Sequence, residues 1–142
     1  MSEAAAYDQR LTKPERLCSQ KRIDLLFRGG ESHALTAYPL RVVYALFDRD
    51  EDPATRPPAD ARAQMMVSVP KRWFKRAVDR NRVKRQVREG YRKNKGLILA
   101  PMQAKEAQTV AMAFLWMDKK LLPTADVEQR VATLLKRMGE KL

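Results

Sequence analysis

The segment of residues 71–95 restricts the fold more than any other part of this chain. Twelve of its side chains are Lys or Arg and only two are acidic, so it carries a net charge of +10 within a chain whose total is +12. Like charges in such a run repel one another and disfavour a compact fold unless a partner neutralises them. The segment therefore indicates one surface element that binds a polyanion.

The spacing of apolar residues in this segment predicts a helix. Val83, Val87 and Tyr91 recur at i, i+4 and i+8, which places them on one stripe of a helix that begins between residues 75 and 79 and extends to about residue 94. We expect the stripe to be buried. The cationic arc beside it, with one amide among its members, consists of Arg80, Asn81, Lys84, Arg85, Arg88 and Arg92.

The chemistry of this arc favours nucleic acid as the partner. Guanidinium forks bind phosphate oxygens in pairs and stack on bases, while an ammonium acts as a point charge. A merely solvated helix face is the simpler interpretation of helices that mix Lys with Glu in similar numbers, but this segment has twelve cations against two acids. Charge placement alone leaves RNA and DNA open.

The remaining apolar patterns predict a single α+β domain in the order α-β-β-β-α-β-α. Its last helix buries one stripe behind a Thr cap, and its last strand is apolar on both faces and hence central. We expect a flexible arm over residues 1–11, the domain over residues 12–142 and an acidic, proline-rich surface loop over residues 48–62. Besides the basic helix, the predicted elements are Ser19–Phe27, Ala34–Ala37, Leu40–Phe47, Ala63–Val69, Gln108–Trp116 and Thr124–Leu142.

Composition excludes several classes of site and location. One cysteine, Cys18, cannot form an internal disulfide, and with one histidine, His33, the chain lacks the cluster that structural zinc or Cys/His catalysis needs. The N-terminus lacks the apolar run of a signal peptide, and no stretch has 18 consecutive apolar residues. We therefore predict a cytoplasmic protein without a membrane partner.

Three sequence blocks together resemble the bacterial ribonuclease P protein component. The central block, Arg80-Asn-Arg-Val-Lys-Arg85, is similar to the Arg-Asn-Arg signature of that family. Ser68-Val-Pro-Lys-Arg72 resembles its basic segment at a strand end, and Ile23-Asp-Leu-Leu-Phe27 resembles its first helix. The resemblance extends over roughly residues 11–138.

The resemblance implies a subunit without a catalytic centre of its own. Such a protein binds the catalytic ribonuclease P RNA and precursor tRNA, and helps the RNA and its magnesium ions remove the 5′ leader. It implies no bound cofactor and no obligate protein partner. It also implies a four-stranded sheet with a left-handed βαβ crossover, of the kind found in a ribosomal-protein domain, although most such crossovers are right-handed.

The resemblance assigns two sets of residues to RNA. A cleft between the first helix and the sheet would receive the leader, with Ile23, Phe27 and Tyr44 as its lining. Trp73 and Phe74 either stack on bases or anchor the start of the basic helix. The contacts to RNA would come from Lys71, Arg72, Lys75, Arg76, Arg80, Asn81, Arg82, Lys84, Arg85, Arg88 and Arg92.

Two other functions remain open from the residues alone. A ribosomal or general RNA-binding module would use the same basic helix with no role in processing. A DNA-binding helix-turn-helix protein would need a paired helix and a short turn, which the sequence does not show. Selectivity for a leader-bearing precursor over mature tRNA would distinguish a processing subunit from a general binder.

Overall fold

The computed structural model describes residues 11, 15–48, 62–105 and 107–142. Its four strands form one sheet in the order β1-β2-β4-β3, in which only the β3–β4 pair is parallel. The α+β class and the position of β4 inside the sheet are confirmed. In chain order the elements are α1 (Gln20–Arg28), β1 (His33–Ala37), β2 (Leu40–Asp48), β3 (Ala63–Ser68), α2 (Ala77–Asn94), α3 (Gly96–Met102), β4 (Gln108–Trp116) and α4 (Thr124–Lys141).

The main core lies between one face of the sheet and helices α2, α3 and α4. Alternate residues of β4, such as Met112 and Phe114, point into it and are fully buried. Each large apolar side chain buried in this way contributes roughly 1.5–3 kcal/mol. The stripe that the sequence predicts on α4 is fully buried as well, at Val127, Val131, Leu134, Leu135 and Met138.

Helix α1 packs on the opposite face of the sheet, over a smaller cluster. Leu26 is fully buried there against Ala45, Ala111 and Ala113, all three of them small residues. The helix begins after Ser19, whose hydroxyl accepts from the backbone N–H of Arg22 at 3.3 Å. Because α1 covers only part of this face, a groove remains between the helix and the sheet.

Helix α3 is absent from the predicted order. The sequence Gly96-Leu-Ile-Leu-Ala-Pro101 contains a glycine and a proline, which usually interrupt a helix, and no element was predicted there. Ile98 and Met102 are nevertheless fully buried, four residues apart on one side of a short helix. The helix lies close to α4. A Cβ added to Gly139 of α4 would be only 2.6 Å from the carbonyl oxygen of Leu97 in α3.

The outer edge of β3 is covered by the chain that precedes α1. Arg16 forms a parallel bridge with Met65, and the backbone N–H of Leu17 donates to the carbonyl oxygen of Met65 at 2.9 Å. The opposite edge of the sheet is β1. β1 has five residues and, among the described residues, pairs only with β2.

The parallel pairing of β3 with β4 confirms a βαβ crossover, through α2 and α3. Strand pairing does not define the hand of this crossover, so its left-handed sense stays a prediction. The predicted arm lies outside the described residues except for Leu11, and the acidic loop does so except for Asp48 and Arg62. No helix in the described ranges is long and apolar enough to cross a membrane.

Candidate nucleic-acid interface

The buried side of α2 agrees with the predicted stripe. Val83, Val87 and Tyr91 have no exposed surface. Burial raises the pKa of Tyr91, with a further contribution from the negative charge of Glu15. The helix is thus fixed to the core along one side over almost its whole length, which gives the side chains on its other side defined positions.

Gly90 and Gln86, which are not part of the predicted stripe, hold α2 against α4. A Cβ on Gly90 would lie 3.1 Å from the Cα atom of Glu128, so the two helices approach closely at this glycine. The buried amide of Gln86 donates to the carbonyl oxygen of Leu122 at 3.2 Å and to the hydroxyl of Thr124 at 3.0 Å. The predicted Thr cap is therefore wrong: Thr124 is the first residue of α4, and its hydroxyl accepts from Gln86.

The cations of α2 are not equivalent. The Arg80 guanidinium donates to the carbonyl oxygens of Phe74 at 2.7 Å and Lys75 at 3.0 Å, so it also supports the entry to the helix. Arg92 donates to the Glu89 carboxylate at 2.7 Å, and this hydrogen bond lowers the pKa of Glu89. Both arginines thus have protein partners, which reduces what they offer to an external anion.

Arg85 and Arg88, beside the half-buried Lys84, are two cations at the middle of the outward face that have no ion pair among the described residues. Both side chains are exposed, and neither forms an ion pair with a residue that the structure describes. With Leu11 and Asn81 they border a shallow hollow of about 370 Å³. Arg82 is also exposed, and it lies 3.5 Å from the carbonyl oxygen of Leu122.

Two ion pairs at the end of α2 differ sharply in burial. The Lys93 ammonium, whose side chain is 51% exposed, lies 2.8 Å from the Glu128 carboxylate. The Lys95 ammonium, whose side chain is 4% exposed, lies 2.9 Å from the carboxylate of Glu15. Lys95 is thus part of the internal structure rather than of the cationic surface, a distinction that the charge count could not make.

Glu15→Gln should destabilise the domain by about 3 kcal/mol, because it removes the carboxylate charge that pairs with the buried Lys95 ammonium. Urea denaturation followed by circular dichroism measures the free energy of unfolding. Glu128→Gln is the matched control: it removes the partner of an exposed lysine and should cost less than about 1 kcal/mol. Equal losses in the two variants would contradict the structural role of the buried pair.

The segment before α2 divides into an anchor and a cationic surface. Phe74 is buried in the main core, which favours the anchoring interpretation for this residue. Trp73 packs against the same core, and the Arg72 guanidinium lies 4.9 Å from the centroid of its ring. Lys71, Lys75 and Arg76 are exposed and extend the cationic surface beyond the start of the helix.

The groove beside α1 forms a second candidate surface, of about 350 Å³. Phe27 lines it and is 46% exposed, which is unusual for a phenylalanine. Val43 and Leu115 from the sheet form its floor, and the exposed side chain of Arg41 adds a cation. Ile23 is half-buried in the cluster beneath α1.

Tyr44 does not line this groove, contrary to the prediction. Successive residues of a strand point to opposite faces, and Tyr44 packs in the main core, on the α4 side of the sheet. Only 3% of Tyr44 is exposed, and its ring centroid lies 5.6 Å from that of His33. The aromatic residue of β2 that packs in the α1 cluster is Phe47.

Comparison with known proteins identifies the family of this chain. The family model of ribonuclease P matches residues 11–139. Ribonuclease P protein components from two strains of Porphyromonas gingivalis are each 39% identical to the chain over 129 residues, which cover 91% of this chain and 86% of the relative.

Solved structures share the fold. The RNase P protein from Thermotoga maritima superposes with a TM-score of 0.61 at 23% identity, over 87% of this chain and 96% of its own. A mutant RNase P protein from Staphylococcus aureus gives a TM-score of 0.63 at 16% identity, over 89% of each chain. With the match of the family model and the identity to the bacterial relatives, the chain belongs to the family of ribonuclease P protein components.

Proposed function

We propose that this chain binds the catalytic RNA of ribonuclease P through α2 and assists removal of the 5′ leader from precursor tRNA. Its family forms the protein component of a tRNA-processing ribonucleoprotein, which implies an RNA partner. The observation that carries the proposal is the outward face of α2. Arg85 and Arg88 stand there without an acidic partner among the described residues, on a helix whose other side is fixed in the core.

Fixed guanidinium groups suit a folded RNA. Each fork donates two parallel hydrogen bonds to a phosphate, and a side chain on a rigid helix loses less freedom on binding than one on a loop. The exposed cations at Lys71, Lys75 and Arg76 continue this surface toward the end of β3. Together they neutralise phosphates along one side of the molecule, and this energy depends little on sequence.

The groove beside α1 is the proposed site for the single-stranded leader. The exposed ring of Phe27 offers a face for base stacking, worth roughly 1–3 kcal/mol per base, and Arg41 offers a cation for the backbone. Ile23 supports the helix from below rather than stacking, because its side chain packs in the cluster under α1. The apolar floor at Val43 and Leu115 keeps water away from a bound base.

In this proposal the chain contributes binding and positioning, and the RNA with its magnesium ions contributes the hydrolysis. Within the part of the chain that the structure describes, no group of three or more His, Cys, Asp or Glu side chains could hold a metal ion. The proposal assigns magnesium to the RNA subunit. The role of the protein is to neutralise the RNA and to hold the substrate, which lowers the magnesium concentration that the RNA requires.

Reconstitution with the cognate catalytic RNA tests the proposal. The wild-type chain should raise the rate of precursor tRNA cleavage at low magnesium. Phe27→Ala should weaken binding of a leader-bearing precursor by roughly 5- to 150-fold, in line with the loss of one stacked base, and should leave binding of mature tRNA unchanged. Leu25→Ala is the matched control, because Leu25 is 45% exposed on the same helix and lies outside the groove.

Two outcomes would contradict the proposal. If the chain fails to stimulate cleavage at any magnesium concentration, it is not a processing subunit. If it binds leader-bearing and mature tRNA with equal affinity, it is a general RNA-binding module. Equal losses for Phe27→Ala and Leu25→Ala would remove the groove from the proposal and leave the role of α2 intact.

A further inference from the structure

A third cavity, of about 500 Å³, opens on the α4 side of the sheet. It lies where β1 begins, β2 ends and α4 ends, and His33, Tyr44 and Lys141 are among its lining residues. The sheet separates it from the groove beside α1. Its volume is that of an ordinary small-ligand site, which is roughly 300–1,000 Å³.

Tyr44 gives this cavity a phenol hydroxyl. The residue is 97% buried, since 3% of it is exposed, yet its hydroxyl forms no hydrogen bond with any residue that the structure describes. Burial raises the pKa of the Tyr44 phenol, so the hydroxyl stays protonated and able to donate at neutral pH. The hydroxyl is not one of the fully buried polar atoms that lack a partner, so it is accessible from the cavity and can donate to a water or a ligand there.

The cavity also has an aromatic wall and charged groups. The rings of His33 and Tyr44 lie 5.6 Å apart at 38°, and His33 is exposed on its outer side. The Lys141 ammonium is exposed and forms no ion pair with a described acid. Gln108 and Glu31 add an amide and a carboxylate.

This set of groups matches a nucleotide. The exposed imidazole of His33 can stack on a base, and the Tyr44 hydroxyl can donate to it. The Glu31 carboxylate accepts from an exocyclic amino group, and the Lys141 ammonium neutralises a phosphate. We propose that the cavity binds one unpaired nucleotide of RNA, with its base at His33 and Tyr44 and its phosphate at Lys141. The proposal rests on the RNA-binding function above and adds a subsite to it.

The position of His33 supports a continuous path for a single strand. His33 lines both this cavity and the groove beside α1, because it begins β1 at the edge of the sheet. A single-stranded RNA that leaves the groove therefore passes over His33 before it reaches the cavity. The nucleotide has two possible sources with the same chemistry: the leader of the precursor, or an unpaired nucleotide of the catalytic RNA.

His33 is the only histidine of the chain, so its imidazole signals report on the cavity without assignment of other residues. Titration of the full chain with adenosine monophosphate should shift these NMR signals in a saturable manner. Lys141→Ala should weaken this binding about tenfold, as expected for a lost charge-assisted contact, and Tyr44→Phe about threefold. Lys136→Ala, which removes an exposed lysine of α4 outside the cavity, should leave it unchanged.

Affinity measurements on the reconstituted complex separate the two sources. A loss in Lys141→Ala for precursors with a long leader, but not for leaderless tRNA, assigns the nucleotide to the leader. A loss in affinity for the catalytic RNA assigns it to that partner. The cavity proposal alone is overturned if the His33 signals do not move with adenosine monophosphate or with a single-stranded oligonucleotide while the chain still binds RNA through α2. Loss of RNA binding by α2 itself would instead count against the proposed function.

Discussion

Val87→Asp is expected to abolish cooperative folding of the domain. Val87 lies in the middle of the buried stripe of α2 and has no exposed surface, so the new carboxylate would be buried without a partner. Changes of this kind cost more than about 4 kcal/mol, against a total stability of roughly 5–15 kcal/mol for a domain. Thermal and urea unfolding followed by circular dichroism should show a transition lost or shifted far below that of the wild type.

Arg88→Asp is the control for this variant, because it introduces the same residue one position further along. Arg88 is exposed, so this variant should melt close to the wild-type temperature and should lose affinity for RNA instead. The two variants thus separate the two sides of one helix. A cooperative melt of Val87→Asp near the wild-type temperature would show that the stripe is not packed as described.

The double variant Arg85→Ala and Arg88→Ala is expected to lose salt-dependent RNA affinity. Each phosphate contact contributes about 0.7 to 0.9 to the slope of log K against log salt concentration, so two lost contacts should make the slope less steep by about 1.4 to 1.8. At low salt we expect affinity for the catalytic RNA to fall by about 10- to 100-fold. Filter binding over a range of potassium concentrations measures both quantities.

Controls for this variant remove the same charge elsewhere. Lys21→Ala with Lys136→Ala eliminates two exposed cations outside α2, and should change the slope much less. Both double variants should keep the thermal stability of the wild type, because their side chains are exposed. A slope that does not change in the arginine variant would mean that Arg85 and Arg88 face away from the RNA.

Periodic features of the fold followed directly from the sequence. The stripes on α2 and α4 were predicted residue by residue, because a helix repeats its buried side every three to four positions. The central place of β4 followed from apolar residues on both of its faces. In each case the signal lies within one element and does not depend on where the rest of the chain packs.

Other features depend on partners that are distant in the sequence. The periodicity of residues within one element does not reveal such partners. Lys95 looked like one more cation, but its ion pair with Glu15 joins residues 80 positions apart. Gln86 carries no signal in the sequence pattern, yet it connects α2 to the start of α4. Burial and pairing of a polar side chain are tertiary properties, so the count of cations overstated the surface that is free to bind RNA.

The placement of Tyr44 failed for a related reason. Strand β2 reads Leu40-Arg-Val-Val-Tyr-Ala-Leu-Phe47, with large apolar residues at both odd and even positions. Alternation fixes which residues share a face, but it does not say which face receives α1. The sheet pairing decides this: it puts Val43 opposite Ala113, in the α1 cluster, and Tyr44 opposite Met112, in the main core.

The short bridge between Arg16 and Met65 blocks part of the β3 edge from pairing with another chain. An open strand edge offers its backbone N–H and C=O groups to any neighbouring chain, which is a common route to aggregation. Arg16 and Leu17 occupy that position on β3, and Glu15 beside them is held by Lys95. A shortened version of the chain intended for crystallisation or for spectroscopy should therefore begin upstream of Glu15, so that the protected edge is kept.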